Sequence, residues 1–302
     1  MNLPFSPLAE QRVDGFIRSH RLPDAFRGVI EQHYLPLLSW VAKQRRVGAT
    51  MLLGINGAQG TGKSTLADFL KLVLESGYSW KVAVLSIDDF YLTKAERLEL
   101  AETVHALLAT RGVPGTHDIV MLNECLDRLR SLGQDDTCHL PRFDKARDDR
   151  ADPSDWPIAT GPVDLIILEG WCVGSVAESG ATLMRCVNAL EREQDPSGDW
   201  RRYANDRLNS DYASLFSELD VLVFLQAPSF DAIYRWRLEQ EEKLRASAPA
   251  DASAIMSAPQ IAEFVQFYER ITRANLEHLP QFADVVLELD ENHNYVASRY
   301  RG

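Results

Sequence analysis

The chain has no long apolar run, no paired-cysteine motif and no basic stretch, and each absence removes a class of protein. No apolar segment approaches the ~20 residues that a bilayer-crossing helix requires, so no membrane span is expected. The opening MNLPFSP lacks a charged region followed by an apolar one, so no secretory leader is expected. Cys125, Cys138, Cys172 and Cys186 are scattered, with no C-x-x-C pair and no histidine at zinc spacing. Isolated thiols in a reducing compartment are the expectation. A formal charge of −12 leaves no basic stripe for nucleic acid. The expectation is a soluble, cytoplasmic protein with neither membrane nor nucleic-acid partner. Repeats are absent too, and the one tract of linker composition is ASAPADASA, 246–254.

What is present centres on 51–65, MLLGINGAQGTGKST. An apolar run, a glycine-rich turn and an amphipathic segment predict strand, loop and helix. Gly57, Gly60, Gly62, Lys63 and Ser64 satisfy the phosphate-loop pattern G-x-x-x-x-G-K-[ST]. Glycines admit positive φ, so that consecutive N–H groups from Gly57, Ala58, Gln59, Gly60, Thr61, Gly62, Lys63, Ser64 and Thr65 turn toward a phosphate. The helix start adds its own free N–H groups and positive dipole end. Lys63 is expected at the β- and γ-phosphates and the Ser64 hydroxyl on Mg²⁺. The alternative is a glycine-rich turn with a chance lysine.

Two further apolar runs deliver acids. KVAVLSI, 81–87, ends in Asp88 and Asp89, and VDLIIL, 163–168, ends in Glu169. Open α/β sheets bind ligands at the carboxyl ends of parallel strands. One of the aspartates is expected to take the proton of an attacking hydroxyl or to hold Mg²⁺ through water, and Glu169 to orient the metal. VLVFLQ, 221–226, and DVVLEL, 284–289, supply two more strands, the second followed by a polar tail. The fold class expected is α/β: a three-layer sandwich, mostly parallel sheet with helices on both faces and a helical lid.

Residues 1–48 predict two or three helices, broken at Pro23 and Pro36, that pack on a core domain spanning 49–302. Within it, about 93–160 is expected to form an acceptor-side insertion, with helices over 93–110 and 119–132. The turn-rich RGVPGTHD, 111–118, and LPRFDKAR, 140–147, gather Arg111, His117, Asp118, Arg142 and Lys145, with Arg150 just beyond. Such a basic group in an acidic chain suits a small anionic acceptor, with Asp89 and Tyr91 beside it. His117 is equally compatible with a structural, hydrogen-bonded role. A charged helix from about Ala232 carries Arg235, Arg237 and Lys243. The lid, about 231–258, is expected to bring one of them, Arg237 first, to the transferring phosphate.

The phosphate loop, SIDDFYLT (86–93), RGVPGTHD, LPRFDK, Glu169 with its GW, APSF (227–230) and WRLEQ (236–240) occur in one order. Together they resemble the plant-type D-glycerate 3-kinase family of P-loop kinases, itself similar to uridine kinases, phosphoribulokinases and pantothenate kinases. The resemblance implies an ATP-dependent kinase of a small-molecule substrate, with ATP and Mg²⁺ bound. It also implies Asp88, rather than Asp89, as the base, by its place before the x-Phe pair. Asp149 and Arg150 follow the Phe-Asp-Lys motif after only three residues, a shorter acceptor-side loop than is usual in that family. Phosphorylation of a sugar, a nucleoside or a pantothenate-like compound is the alternative within kinases, and a nucleotide-dependent switch the alternative outside them. No Asn-Lys-x-Asp guanine-reading motif is present to support the switch. Oligomeric state is left open.

Overall fold

Three helices lead in: α1 (Pro7–Ser19), α2 (Phe26–Val29) and α3 (Leu35–Gln44). β1 (Met51–Gly57) then runs through the phosphate loop into α4 (Lys63–Tyr78), and β2 (Val82–Ser86) follows. Next come α5 (Lys94–Thr103), α6 (Ile119–Ser131) and four short strands: β3 (Thr137–His139), β4 (Phe143–Asp144), β5 (Asp149–Arg150) and β6 (Ile158–Thr160). β7 (Leu165–Gly170) re-enters the sheet, before α7 (Gly180–Leu183), α8 (Ala189–Gln194), α9 (Asp199–Arg207) and α10 (Ala213–Phe216). β8 (Val221–Gln226), α11 (Phe230–Ser247), α12 (Ala258–His278), β9 (Val285–Leu289) and β10 (Tyr295–Tyr300) complete the chain. The computed structural model describes residues 7–247 and 256–301, with side chains over 11–242 and 256–301. The Lys243 side chain and most of the linker-like tract therefore lie outside the described residues.

Six strands form the central sheet in the order β10-β9-β8-β1-β7-β2. All neighbours are parallel except β10, which pairs antiparallel with β9. Parallel strands need crossovers that cover both faces, and this is why their sequences are mostly continuous apolar runs, with polar residues toward the carboxyl ends, rather than alternating. Leu53, Ile55, Leu165 and Ile167 face one core with α1, α3, α4 and α11. Leu52, Ile166, Leu168 and Leu85 face a second core with α6 and part of α12. Each fully buried leucine or isoleucine contributes roughly 1.5–3 kcal/mol.

The N-terminal helices join the first core. Phe16, Ile30, Tyr34, Leu37 and Leu38 are buried in the same cluster as the strand residues of β1 and β8. Pro36, expected to break a helix, sits in the first turn of α3, directly after a π-helical turn, Ile30–Tyr34. The wider turn absorbs the missing proline donor, so the helix continues.

Two other elements differ from the sequence reading. The helix expected over 93–110 ends at Thr103, and a 3-10 turn covers Ala106–Ala109. Helix propensity is weak at Thr103 and Val104, and His105 caps the new turn by accepting from Leu107 N–H. The polar tail after β9 is the strand β10, whose return pairs Tyr300 with Val285. Its half-exposed, mixed composition hid it, because an antiparallel edge strand needs only one buried face.

Candidate active site

β1, β7 and β2 are adjacent and parallel, so their carboxyl ends meet at one edge. Register sets the alignment: Glu169 lies beside Ile55 of β1 and Ser86 of β2. The chemistry expected from three separate stretches is therefore brought together at this edge.

At β1, Gly60 and Gly62 take φ of 81° and 90°, in the left-handed region that favours glycine. The turn closes on the Ala58 carbonyl, which accepts from Thr61 N at 3.3 Å, Thr61 Oγ1 at 2.8 Å and Lys63 Nζ at 3.1 Å. Burial pulls the Lys63 ammonium below its usual range, while the Glu169 and Asp88 charges oppose that pull. Ser64 Oγ donates to Glu169 Oε1 at 3.0 Å. Among the described residues no three His, Cys, Asp or Glu side chains cluster as a metal cage. A hydroxyl and carboxylates converging beside a phosphate loop do fit Mg²⁺, which takes hard oxygen donors and usually only one or two from protein.

β2 ends in a 3-10 turn, Ile87–Phe90, that carries both aspartates. Gly170 makes room for it: a Cβ there would collide with Ile87 Cγ2. Asp88 Oδ1 accepts from Tyr91 OH at 2.8 Å and Oδ2 from Lys145 Nζ at 2.8 Å. Burial alone would raise its pKa, but the Lys145 charge and hydrogen bond hold it below the ordinary carboxylate value. Asp89 faces the other way, accepting from Arg142 Nη1 at 2.9 Å and Phe143 N at 3.2 Å. Burial, with Asp88 adding to it, raises the Asp89 carboxyl. The two neighbours thus have different environments.

The acceptor-side cations are all committed to acids. Arg142 pairs with Asp89, Lys145 with Asp88, Arg150 with Asp118 at 2.7 Å, and Arg111 with Asp148. The basic group seen in the sequence is a set of ion pairs, a point that composition alone does not convey. Asp118 also caps α6, accepting from Met121 N at 2.9 Å. A cleft of about 600 Å³ opens along the free edge of β2, lined at its inner end by Ser86, Asp89, Arg142 and Glu169.

His117 is buried and stacks on Tyr91, with ring centroids 4.5 Å apart. Tyr212 OH accepts from Gly115 N at 3.0 Å and lies 2.6 Å from His117 Nδ1. The short contact fixes the ring edge against Tyr212, while Nε2 has no hydrogen-bond partner in the structure. Burial lowers this imidazole to about 4 from its ordinary 6.5. A histidine held neutral by the fold stabilises it fully above about pH 6.5 and loses that contribution as pH falls toward 4. On the order of 3 kcal/mol should be lost on acidification. Urea midpoints at pH 7 and pH 4.5 for wild type and His117→Gln measure this. An equal pH slope in both proteins would show that His117 titrates without linkage to folding.

On α11, Arg237 pairs with Glu241 at 2.7 Å and lies over the Phe264 ring, and Arg235 pairs with Glu291. The partners of both arginines, Glu241, Phe264 and Glu291, lie outside the phosphate loop. Instead Trp236 backs the loop, with Cβ 3.5 Å from where a Gly60 Cβ would stand, and stacks on His293 at 3.9 Å. Tyr295 of β10 donates to the Thr61 carbonyl at 3.4 Å and its hydroxyl lies 3.0 Å from that of Tyr34. Sequence reasoning missed Tyr295, Tyr212 and Arg97. The last is buried and donates to the carbonyls of Leu92, Ala109 and Asp148, tying α5 to the β4–β5 hairpin. No clear sequence signal pointed to it, because α5 has no apolar face and Arg97 is its buried residue.

A parallel sheet with the phosphate loop at its central strand, flanked by two strand-end acids, defines a P-loop kinase. No protein-family model matches the chain. An uncharacterized kinase of Schizosaccharomyces pombe is 36% identical over 272 residues, covering 85% of this chain and 94% of that protein. The chloroplastic D-glycerate 3-kinase of Arabidopsis thaliana is 30% identical, covering 87% of this chain and 59% of that longer protein. Among solved structures, D-glycerate 3-kinase of Cryptococcus neoformans matches with a TM-score of 0.72 at 25% identity, covering 89% of this chain and 96% of that one. The chain belongs to the D-glycerate 3-kinase-like family of ATP-dependent P-loop kinases. Among the described residues no helix is long and apolar enough to cross a membrane.

Proposed function

We propose that this chain transfers the γ-phosphate of ATP to a hydroxyl of a small anionic acceptor, D-glycerate foremost, yielding 3-phosphoglycerate and ADP in the cytoplasm. The supporting observation is the meeting of Lys63, the Ser64–Glu169 pair and the Asp88–Lys145 pair at one sheet edge. The acceptor itself is taken from the relatives named D-glycerate 3-kinase.

In this reading the N–H groups of 57–65 cradle the phosphates, and Lys63 neutralises charge developing on the γ-phosphate. Mg²⁺, when bound, would polarise the phosphoryl oxygens, with Ser64 and Glu169 as the candidate protein donors and Asp88 reaching it only through water. Asp88 takes the proton of the acceptor hydroxyl. Residues of about 93–160 form the acceptor end, where His117 and Lys145 face the aspartate together with Tyr91, and Arg150 holds the Tyr91 carbonyl. Arg237 enters from the lid, about 231–258, on closure.

The test is ADP release with Mg-ATP, comparing D-glycerate with small hydroxy acids, sugars and nucleosides. Strong stimulation by D-glycerate is expected. Stimulation by a different compound keeps the mechanism and replaces the acceptor. Slow hydrolysis indifferent to every hydroxyl compound would overturn the kinase reading in favour of a nucleotide switch.

A further inference from the structure

Only one oxygen of Asp88 is suited to receive a proton, and a lysine covers it. Oδ1 is held by Tyr91 OH at 2.8 Å, and Tyr91 is itself fixed by stacking on His117. Oδ2 accepts from Lys145 Nζ at 2.8 Å. A carboxylate oxygen occupied by an ammonium is less basic and is blocked to a second donor.

The backbone beneath Lys145 is braced on every side. At the base of the β4–β5 hairpin, Asp89 takes Arg142 and the Phe143 N–H. In the turn, Asp144 Oδ1 accepts from the N–H groups of Ala146 and Arg147. Asp148 is held by Arg97 and Arg111, and Arg150 donates to the Tyr91 carbonyl at 3.2 Å. The Lys145 side chain is 60% exposed, against 35%, 29% and 23% for Arg142, Arg111 and Arg150 in their pairs. Of these four cations, Lys145 is the one best able to change partner by side-chain rotation alone.

We infer that Lys145 is a charge latch on Asp88, released when the carboxylate of an anionic acceptor takes its ammonium. The exchange swaps one ion pair for another, so it costs little, and it frees Oδ2 beside the acceptor's hydroxyl. The hydroxyl proton then passes to Oδ2 and the acceptor oxygen bonds to the γ-phosphorus. The bond from that phosphorus to the β,γ-bridging oxygen breaks, its electron pair leaving on ADP. A neutral polyol has nothing to offer Lys145, and water meets a capped base. The latch thus ties base release to acceptor charge, selecting small hydroxy acids. It rests on the proposed role of Asp88 as the base.

The test compares wild type, Lys145→Ala and Lys145→Arg with D-glycerate, with its neutral analogue D-glyceramide, and with no acceptor. In Lys145→Ala, D-glycerate should lose on the order of 100-fold in kcat/KM, mainly through KM, as a charge-assisted contact is removed. D-glyceramide phosphorylation should rise about tenfold, and acceptor-free hydrolysis should rise with it, because Oδ2 is now uncapped. Lys145→Arg should keep the preference for the acid. If D-glyceramide turnover stays level or falls in Lys145→Ala, the latch is overturned; a fall shared equally by both acceptors assigns Lys145 to the γ-phosphate. Asp88→Asn in the same assay separates the two ideas. An inactive Asp88→Asn with no gain for D-glyceramide in Lys145→Ala sinks the latch alone, whereas an active Asp88→Asn sinks the base and the latch together. If a different hydroxy acid is the better acceptor, the same comparison is made between that acid and its amide.

Discussion

Asp88→Asn should bind ATP with near-normal affinity and lose turnover by about 10³-fold, within the range for removing a general base. The substitution is nearly isosteric. The amide oxygen can still accept from Tyr91 OH, so the 3-10 turn that carries the residue keeps its anchor. The amide nitrogen would face the Lys145 ammonium, donor against donor, and Lys145 is exposed enough to turn into solvent. Neither change touches the phosphate loop, which closes on Ala58 and Thr61. Isothermal titration for ATP and single-turnover transfer to D-glycerate measure the two halves separately. Turnover within a few-fold of wild type would remove Asp88 as the base and would direct attention to Asp89. That alternative is disfavoured by geometry, because both Asp89 oxygens are spent on bracing Arg142 and Phe143.

Lys63→Ala should reduce transfer by about 10³-fold, the order associated with losing one preorganised charge at the reacting phosphoryl group. ATP affinity should weaken too, by on the order of 10- to 100-fold for one lost charge-assisted contact. The fold should tolerate the change. Lys63 Nζ donates to the Ala58 carbonyl, which keeps its two donors from Thr61 when the lysine is truncated. A matched thermal midpoint in the variant would place the loss in phosphate chemistry rather than in folding. Unchanged ATP affinity is the result that would sink the cradle reading, and it would show up in the same titration.

Much of the fold and of the nucleotide end was legible because it rests on short-range patterns. Met51 to Ile55 is apolar, and the strand is followed by glycines at the two left-handed positions, Gly60 and Gly62. Such a run is a buried parallel strand entering a tight turn, whatever surrounds it. Ser86 and Glu169 end apolar strands in the same way, and adjacent parallel strands bring their ends to one edge. The acceptor end was legible only as a list of residue types. Its arginines and lysine were expected as a positive surface, and each is neutralised by an aspartate far away in sequence, 57 residues for Lys145 and 53 for Arg142.

The sequence by itself determined the phosphate loop, the acids that follow β2 and β7, the mostly parallel α/β class and the family. All of these follow from residue types at fixed local spacing, which the backbone reads within a few residues. Tertiary structure alone decided that Asp88 is capped and that Asp89 braces the β4–β5 hairpin, that burial keeps His117 neutral, and that Pro36 leaves its helix intact. It also decided that Tyr295, 234 residues from Thr61, leans on the phosphate loop. Each of these depends on which partner a polar or aromatic group meets across the fold. Partner choice is set by sheet order and crossover packing, and no periodicity in the chain encodes it.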